Sequence, residues 1–308
     1  MNQKSPIVLF FFFVYICMQW VGAALADDLE PRRWTPLPIG TNVAGVGYVH
    51  TSGEVYFDPV LNVEDAEVEM DTLLVSYVNS FSLAGKLARF DVLVPWQDGR
   101  WEGILNGEPA SVERQGLADP IVRLSINLLG APAAGPAELQ KYMASHPVNT
   151  LVGAAVSVSL PLGEYFENKL LNLGQNRYII RPQVGVLHTR GPWSFELTGS
   201  GFFYTDNDEF YNGKTREQEP VYALQAHVIR IFKPGVWSSL STGYGEGGRS
   251  TINGQSKDDE NANVLWALSF GLPTAKNQGV KFAYVRARTQ RDTGSDTDSL
   301  AVGWSIAF

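Results

Sequence analysis

The sequence predicts an all-β fold, a single transmembrane antiparallel β-barrel, and three observations predict it. The last residues alternate large apolar Leu300, Val302, Trp304, Ile306 and Phe308 with Ser299, Ala301, Gly303, Ser305 and Ala307, up to the terminal aromatic. That two-residue period, with one face bulky and the other small, is the pattern of a strand with one side in lipid. Comparable segments recur twelve times along the chain, the even number that single-chain bacterial barrels require. The connectors between them alternate short and long, as in a barrel with tight turns at one rim and loops at the other.

The N-terminus predicts export. Lys4 precedes an apolar run from Ile7 to Cys17, and Ala24-Leu25-Ala26 supplies the small residues of a cleavage site, so residues 1–26 read as a secretory signal peptide. The run is short for a helical anchor and has no basic stop-transfer flank. Cys17 follows Tyr15 and Ile16, not a small residue, which argues against a lipoprotein. Cleavage after Ala26 would remove Lys4 and the only cysteine, moving the formal charge from −8 to −9 and ending any disulfide or thiol chemistry. No later apolar stretch suits a spanning helix, which excludes a helical inner-membrane transporter. An acidic chain without a basic stripe predicts no nucleic-acid partner. The plan is a signal at 1–26, a periplasmic segment at 27–40 and the barrel at 41–308.

The predicted strands lie near 41–50, 69–81, 85–96, 119–129, 150–160, 177–188, 192–204, 220–232, 236–246, 261–270, 278–290 and 298–308. The clearest alternations set Phe90, Val92, Val94 and Trp96 against Arg89 and Asp91, and Val122, Leu124, Ile126 and Leu128 against Arg123, Ser125 and Asn127. Tyr178, Ile180, Val184 and Val186 oppose Arg177, Arg181 and Gln183 in the same way, and Val264, Trp266, Leu268 and Phe270 oppose Asn263, Ala267 and Ser269. In a water-soluble barrel the bulky file would fill the interior. Arginine on the other file favours the membrane arrangement, with apolar side chains outward and charge in the lumen.

Short connectors fall at 82–84, 189–191, 233–235 and 271–277; long polar ones are expected at 51–68, 97–118, 161–176, 205–219, 247–260 and 291–297. Residues 130–149 break the rule, being long at the short-turn end. Gly135 and Pro136 open a short helix at 136–145, stopped near Pro147, that either caps the periplasmic mouth or packs as a surface excursion. The mature segment Asp27 to Ile39 is a further candidate occupant of the lumen, held extended by Pro31, Pro36 and Pro38 and too short for a folded plug domain. Aromatic residues near strand ends predict interfacial girdles: Trp96, Trp101, Tyr165, Phe166, Tyr178, Trp193, Tyr204, Phe210, Tyr211, Trp237, Tyr244, Trp304 and Phe308.

Alternation gives ten lumen candidates: Arg89, Asp91, Arg123, Arg177, Arg181, Gln183, Glu196, Gln225, His227 and Asn263. Arginine donors there would guide anionic or phenolic oxygens along a hydrated route, while carboxylates limit simple anion preference. The same residues would alternatively form a closed polar network that conducts nothing. Arg286 and Arg288 share parity with the outward Phe282 and Tyr284, so either a bulge changes their parity or they sit at the outer rim, beside lipid phosphates, the placement the sequence favours.

Catalysis is not expected. His50-Thr51-Ser52 offers a base and a hydroxyl but no group to orient the base, and His188 and His227 merely have hydroxyls nearby. No cofactor or metal site is expected, since there is no cysteine pair, HExxH or histidine cluster. The runs Asp206-Asn207-Asp208-Glu209 and Lys257-Asp258-Asp259-Glu260 read as solvated external loop, open to weak divalent-cation contacts.

Several segments taken together resemble a known family. They are Pro161-Leu162-Gly163-Glu164-Tyr165, Leu171-Asn172-Leu173-Gly174-Gln175-Asn176-Arg177-Tyr178, Gly191-Pro192-Trp193-Ser194-Phe195-Glu196 and Arg216-Glu217-Gln218-Glu219-Pro220. With Leu37 to Asn42 and Gly116 to Pro120 they resemble the MetA-pathway of phenol degradation family across most of the mature chain. The resemblance implies an outer-membrane barrel proposed to pass small, often aromatic or sparingly soluble compounds, and the family name does not itself imply that the protein degrades phenol. The expected function is therefore a passive channel for small organic compounds, embedded among outer-membrane lipids and lipopolysaccharide. The alternatives are a structural or surface-binding barrel without transport and an outer-membrane lipid hydrolase.

Overall fold

A computed structural model describes residues 29–57 and 63–308, so the expected signal peptide lies outside the described residues. Among them the chain forms β1 (Asn42–Tyr56), β2 (Val63–Leu83), β3 (Lys86–Leu105), β4 (Glu108–Leu117), β5 (Ile121–Leu129), a helix α1 (Pro136–Ser145), β6 (Val148–Ser159), β7 (Ile179–Arg190) and β8 (Trp193–Tyr204). There follow β9 (Asn207–Phe210), β10 (Lys214–Gln218), β11 (Val221–Lys233), β12 (Val236–Gly247), β13 (Ser250–Ile252), β14 (Gln255–Ser256), β15 (Asn261–Ala275), β16 (Gln278–Thr289) and β17 (Gly294–Ala307).

Twelve of these strands form one closed antiparallel barrel, running β1, β2, β3, β5, β6, β7, β8, β11, β12, β15, β16, β17 and back to β1. Closure is explicit in the register, where Val46 of β1 faces Val75 of β2 on one side and Trp304 of β17 on the other. A closed barrel leaves no edge, so its backbone donors and acceptors are met inside the sheet, as hydrocarbon demands. No described helix is long and apolar enough to cross a membrane; the strands cross it.

The wall is apolar outside and polar inside. Leu73, Val75, Leu224, Leu240, Trp266, Leu268 and Leu300 are each more than half exposed, while Arg89, Arg123, Arg181, Gln183 and Glu196 are buried. A water-soluble protein would have these classes exchanged, so the exterior is a lipid-facing band and the chain is an outer-membrane barrel.

All twelve predicted strands form, but four external connectors differ from expectation. Residues 97–118 are a hairpin: β3 pairs with β5 only over Ala88–Leu93, then continues above the barrel to pair with β4 from Trp96 to Leu105. The turn is Asn106-Gly107, both at positive φ (53° and 84°), the backbone geometry that a two-residue hairpin needs. β1 and β2 likewise continue beyond the predicted strands, pairing as far as Val55 and Ala66. The connectors at 205–219 and 247–260 meet in a four-stranded sheet of β14, β13, β10 and β9. At the other rim Ala84-Gly85 takes positive φ (50° and 74°), which fixes the tight β2–β3 turn.

The helix α1 starts at Pro136 after Gly135 and buries Leu139. Tyr142 donates to the Gly130 carbonyl at 2.8 Å and Asn149 to the same oxygen at 2.7 Å, tying the 130–149 segment down at the short-turn rim. The girdle prediction needs correcting at three rings. Trp101 and Tyr204 line the lumen, and Trp237 is 8% exposed and faces inward. Trp237 shares parity with Ser239, Ser241 and Gly243, the small inward file of β12. Arg286 and Arg288 lie outward at the long-loop end, where Asp298 receives a 2.7 Å bond from Arg288, a 3.7 Å ion pair from Arg286 and a hydrogen bond from Tyr284.

Candidate functional site

The lumen contains the chain's own N-terminal segment. From β1 the backbone turns back at the short-turn rim, where the Gly40 N–H donates to Ser80 O (2.8 Å) and the Ile39 N–H to Ala134 O (3.0 Å). Residues 29–38 then climb inside the barrel. The segment is not extended throughout, as its prolines suggested: residues 31–34 form a turn with Arg32 at φ 70°. That turn compacts the segment and lets four successive residues reach different walls.

Trp34, 2% exposed, is its anchor. The indole lies against the backbone of Gly153 and Gly185, paired across β6 and β7, and a Cβ at either position would collide with the ring. Its Nε1–H donates to Thr198 at 2.8 Å, and Leu151, Ala155 and Leu187 complete the packing. Glu196, on β8, accepts the backbone N–H of Arg32 at 2.6 Å and of Trp34 at 3.3 Å. A carboxylate receiving two main-chain donors fixes the turn itself rather than a side chain.

Ion pairs hold the other side. Arg123 grips Glu30 through both terminal nitrogens, one at 2.6 Å. Arg33 donates to Asp91 at 2.9 Å, and Asp91 also pairs with Arg89 at 2.8 Å. The Arg32 guanidinium stacks over Trp237 at 5.0 Å, and Leu29 packs on Leu265, Ala267 and Ala287. Such paired, largely buried charges are costly to separate, because removing one partner strands the other away from water.

Above this floor, towards the long loops, lies a cavity of about 430 Å³. Leu29 lies in its lower wall, with Val49, Val285, Ala287 and Ala301 on one side, Tyr204 and Val221 on another, and Asn172 and Gln175 from the 161–176 connector. The connector is fastened by Asp119, whose carboxylate accepts the N–H of Gly163 (2.9 Å) and Gln175 (2.8 Å). Burial holds the Asp119 carboxyl above the usual carboxylate range, opposed by those backbone donors.

The ten lumen candidates fall into three groups. Arg89, Asp91, Arg123 and Glu196 meet the N-terminal segment, with Arg89 donating to the Arg33 carbonyl at 3.4 Å. Arg177 and Arg181 stack over Tyr204 and Phe202, each at 4.5 Å, and Arg177 also bonds Gln175 and Gln218. Gln183, Gln225 and His227 are buried on the inner wall, and Asn263 lines the cavity. Neither ring nitrogen of His227 has a hydrogen-bond partner among the described residues. Sequence reasoning missed Glu30, Arg32, Arg33, Trp34 and Lys281, the last being a buried lysine at the cavity wall. For Trp34 a signal existed in the inward glycines Gly153 and Gly185, a gap in an otherwise filled file.

Elsewhere the acidic loop runs have protein partners. Glu209 accepts from Asn176 (3.1 Å), Asp259 from Ser250 (2.8 Å), and Glu260 pairs with Arg249 at 3.3 Å. No group of three or more histidine, cysteine or carboxylate side chains that could hold a metal occurs among the described residues.

The family described as "Putative MetA-pathway of phenol degradation" matches residues 51–308. The chain belongs to this family. Among solved structures it is similar to an outer membrane channel from Pseudomonas putida F1, with a TM-score of 0.76 and 21% identity over 91% of this chain and 100% of that one. It also aligns with the beta domain of the Bordetella autotransporter BrkA (TM-score 0.46, 8% identity, 87% of this chain and 99% of that one). A third alignment is with the translocator domain of the autotransporter NalP from Neisseria meningitidis (TM-score 0.46, 11% identity, 87% and 89%). No curated protein matches the chain.

Proposed function

We propose that this barrel is a passive route across the outer membrane for small organic molecules, apolar or aromatic ones included, with the N-terminal segment as a displaceable floor. The observation that carries the reading is the placement of residues 29–38 inside the lumen beneath a molecule-sized cavity. A closed barrel needs no internal segment to satisfy its backbone, and a polar wall would be satisfied by water. Here the wall instead holds the segment by noncovalent contacts alone, namely ion pairs, two backbone N–H hydrogen bonds to Glu196 and one indole. The cavity's mixture of aliphatic walls and a few amides is the usual character of sites for small organic ligands.

Within this reading, Arg89 and Arg123 act on the floor, while Arg177, bonded to the cavity-lining Gln175 and Gln218, and Arg181, stacked on Phe202, lie behind the cavity wall with their guanidinium faces on aromatic rings. Those two are the arginines placed to meet an anionic or phenolic oxygen. The chain carries out no chemistry on this reading. Three histidines weighed from the sequence are spread over different surroundings: His50 bonds Asp71 at 2.8 Å on the outer face, His188 bonds Thr150 at 2.9 Å, and His227 faces the lumen.

Reconstitution tests the proposal. Proteoliposomes carrying the folded barrel are expected to take up members of a panel of phenolics, fatty acids and small hydrophilic solutes faster than protein-free vesicles. Equal rates across the whole panel, with the barrel inserted, would leave a structural or surface-binding role instead.

A further inference from the structure

The connectors above the barrel enclose a second cavity, of about 600 Å³, outside the lumen. Its frame is the small sheet of β9, β10, β13 and β14, in which Arg216 of β10 pairs with Asn207 of β9 and Ile252 of β13. Asn261 and Gly294 line both cavities, so the outer one stands at the mouth of the inner.

The charge of this space runs against that of the chain. In a protein of formal net charge −8, Lys214, Arg216 and Lys257 surround it with a single carboxylate, Asp259. That carboxylate is already engaged, accepting the Ser250 N–H at 2.8 Å and the Ser250 hydroxyl. The Arg216 guanidinium carbon lies over Phe210, 5.4 Å from the ring centre, and its buried Nε has no hydrogen-bond partner among the described residues. A guanidinium donates in its own plane, where a carboxylate takes two N–H bonds side by side.

Lys214 stands over Tyr211 at 5.4 Å, and Tyr211 holds φ 30°, a backbone conformation that bulky residues rarely adopt. Such conformations persist where the surroundings impose them, and they cluster at ligand sites. Tyr56, Leu170, Leu171 and Ile252 add apolar lining. Unspent donors beside aliphatic and aromatic surface fit a small molecule with one carboxylate and a compact apolar body. An inorganic anion would leave the apolar lining unused, and an uncharged molecule would leave the Arg216 donors unpaired.

We propose that this outer cavity is a capture site for small monocarboxylates with an apolar body, held by Arg216 and Lys214 before they enter the lumen. The step after capture rests on the transport reading, to which the site adds a substrate class. Cations gathered at a mouth raise the local concentration of an anionic solute and so its rate of entry.

The test is equilibrium binding of benzoate to the full-length barrel in detergent. Saturable binding is expected, at least about tenfold tighter than that of benzyl alcohol, which lacks the charge, or of acetate, which lacks the body. Arg216→Gln is expected to weaken it at least about tenfold and Lys214→Gln about threefold. Lys141→Gln, which removes the same charge from α1 at the opposite rim, is expected to change nothing. Heat-modified migration checks that each variant is folded; where Arg216→Gln disturbs the outer sheet, Lys214→Gln decides. Wild-type affinity in Lys214→Gln or in folded Arg216→Gln, or acetate or benzyl alcohol binding as tightly as benzoate, would overturn the site. Benzoate flux in proteoliposomes without saturable binding would remove capture alone, whereas binding without flux of any solute would keep the site and remove the transport reading.

Discussion

Arg123 of β5 and Glu30 of the N-terminal segment form a doubly bonded ion pair inside the barrel, both side chains almost wholly buried. Each therefore depends on the other for its charge. Arg123→Gln removes the doubly bonded partner of Glu30 and leaves Arg33 beside it at 3.4 Å. Breaking such a pair from one side costs ~3–5 kcal/mol, much of it the stranded charge. Arg123→Gln is expected to release the segment and raise the flux of neutral and anionic permeants together, whereas Glu30→Gln/Arg123→Gln disturbs it less. Liposome flux with permeants of matched size checks this, and a selective loss of anions would assign Arg123 to guidance instead.

Trp34 fits where Gly153 and Gly185 leave room. Gly185→Val is expected to expel the indole without harming the wall, since valine suits a strand. Limited proteolysis from the periplasmic side should then cut near Arg32 and Arg33 while the barrel keeps its heat-modified migration. Trp34→Ala removes the same anchor at ~3–5 kcal/mol of local stability; protection of the segment unchanged in both variants would argue against the indole as anchor.

Arg177 and Arg181 carry the remaining case for charge guidance. Arg181→Gln is expected to lower the permeability of a benzoate-like anion relative to a neutral aromatic of similar size, in a barrel of unchanged strand content. An unchanged ratio would remove that role.

Asp119 fastens the 161–176 connector with two backbone acceptor bonds. Asp119→Asn keeps one acceptor oxygen and turns an N–H donor towards the other amide, losing ~1–3 kcal/mol locally. Faster proteolytic nicking between 161 and 176, with the barrel intact, is the expected result.

The barrel was legible in the sequence because lipid enforces a strict outward file, and Leu300 to Phe308 or Val264 to Phe270 show it plainly. Above the membrane that constraint ends. Asp98, Arg100 and Glu102 alternate with Gln97 and Gly99, so the β3–β4 hairpin reads as polar loop, although Asn106-Gly107 marked its turn. Trp237 stands at a strand end, where the sequence suggests a girdle, but its parity with Ser239 and Ser241 turns it inward. The ten lumen candidates followed from alternation; their partners did not. Glu30 and Arg123, or Trp34 and Gly185, are joined only by closure of the barrel around the segment, and no local pattern encodes that pairing.

The central claim is that residues 29–36 close the lumen reversibly, and conductance across a planar bilayer tests it most directly. Deleting those residues, with heat-modified migration preserved, is predicted to raise single-channel conductance severalfold and shorten closed times. Wild-type conductance in the folded deletion barrel would contradict the claim and place the barrier elsewhere in the lumen.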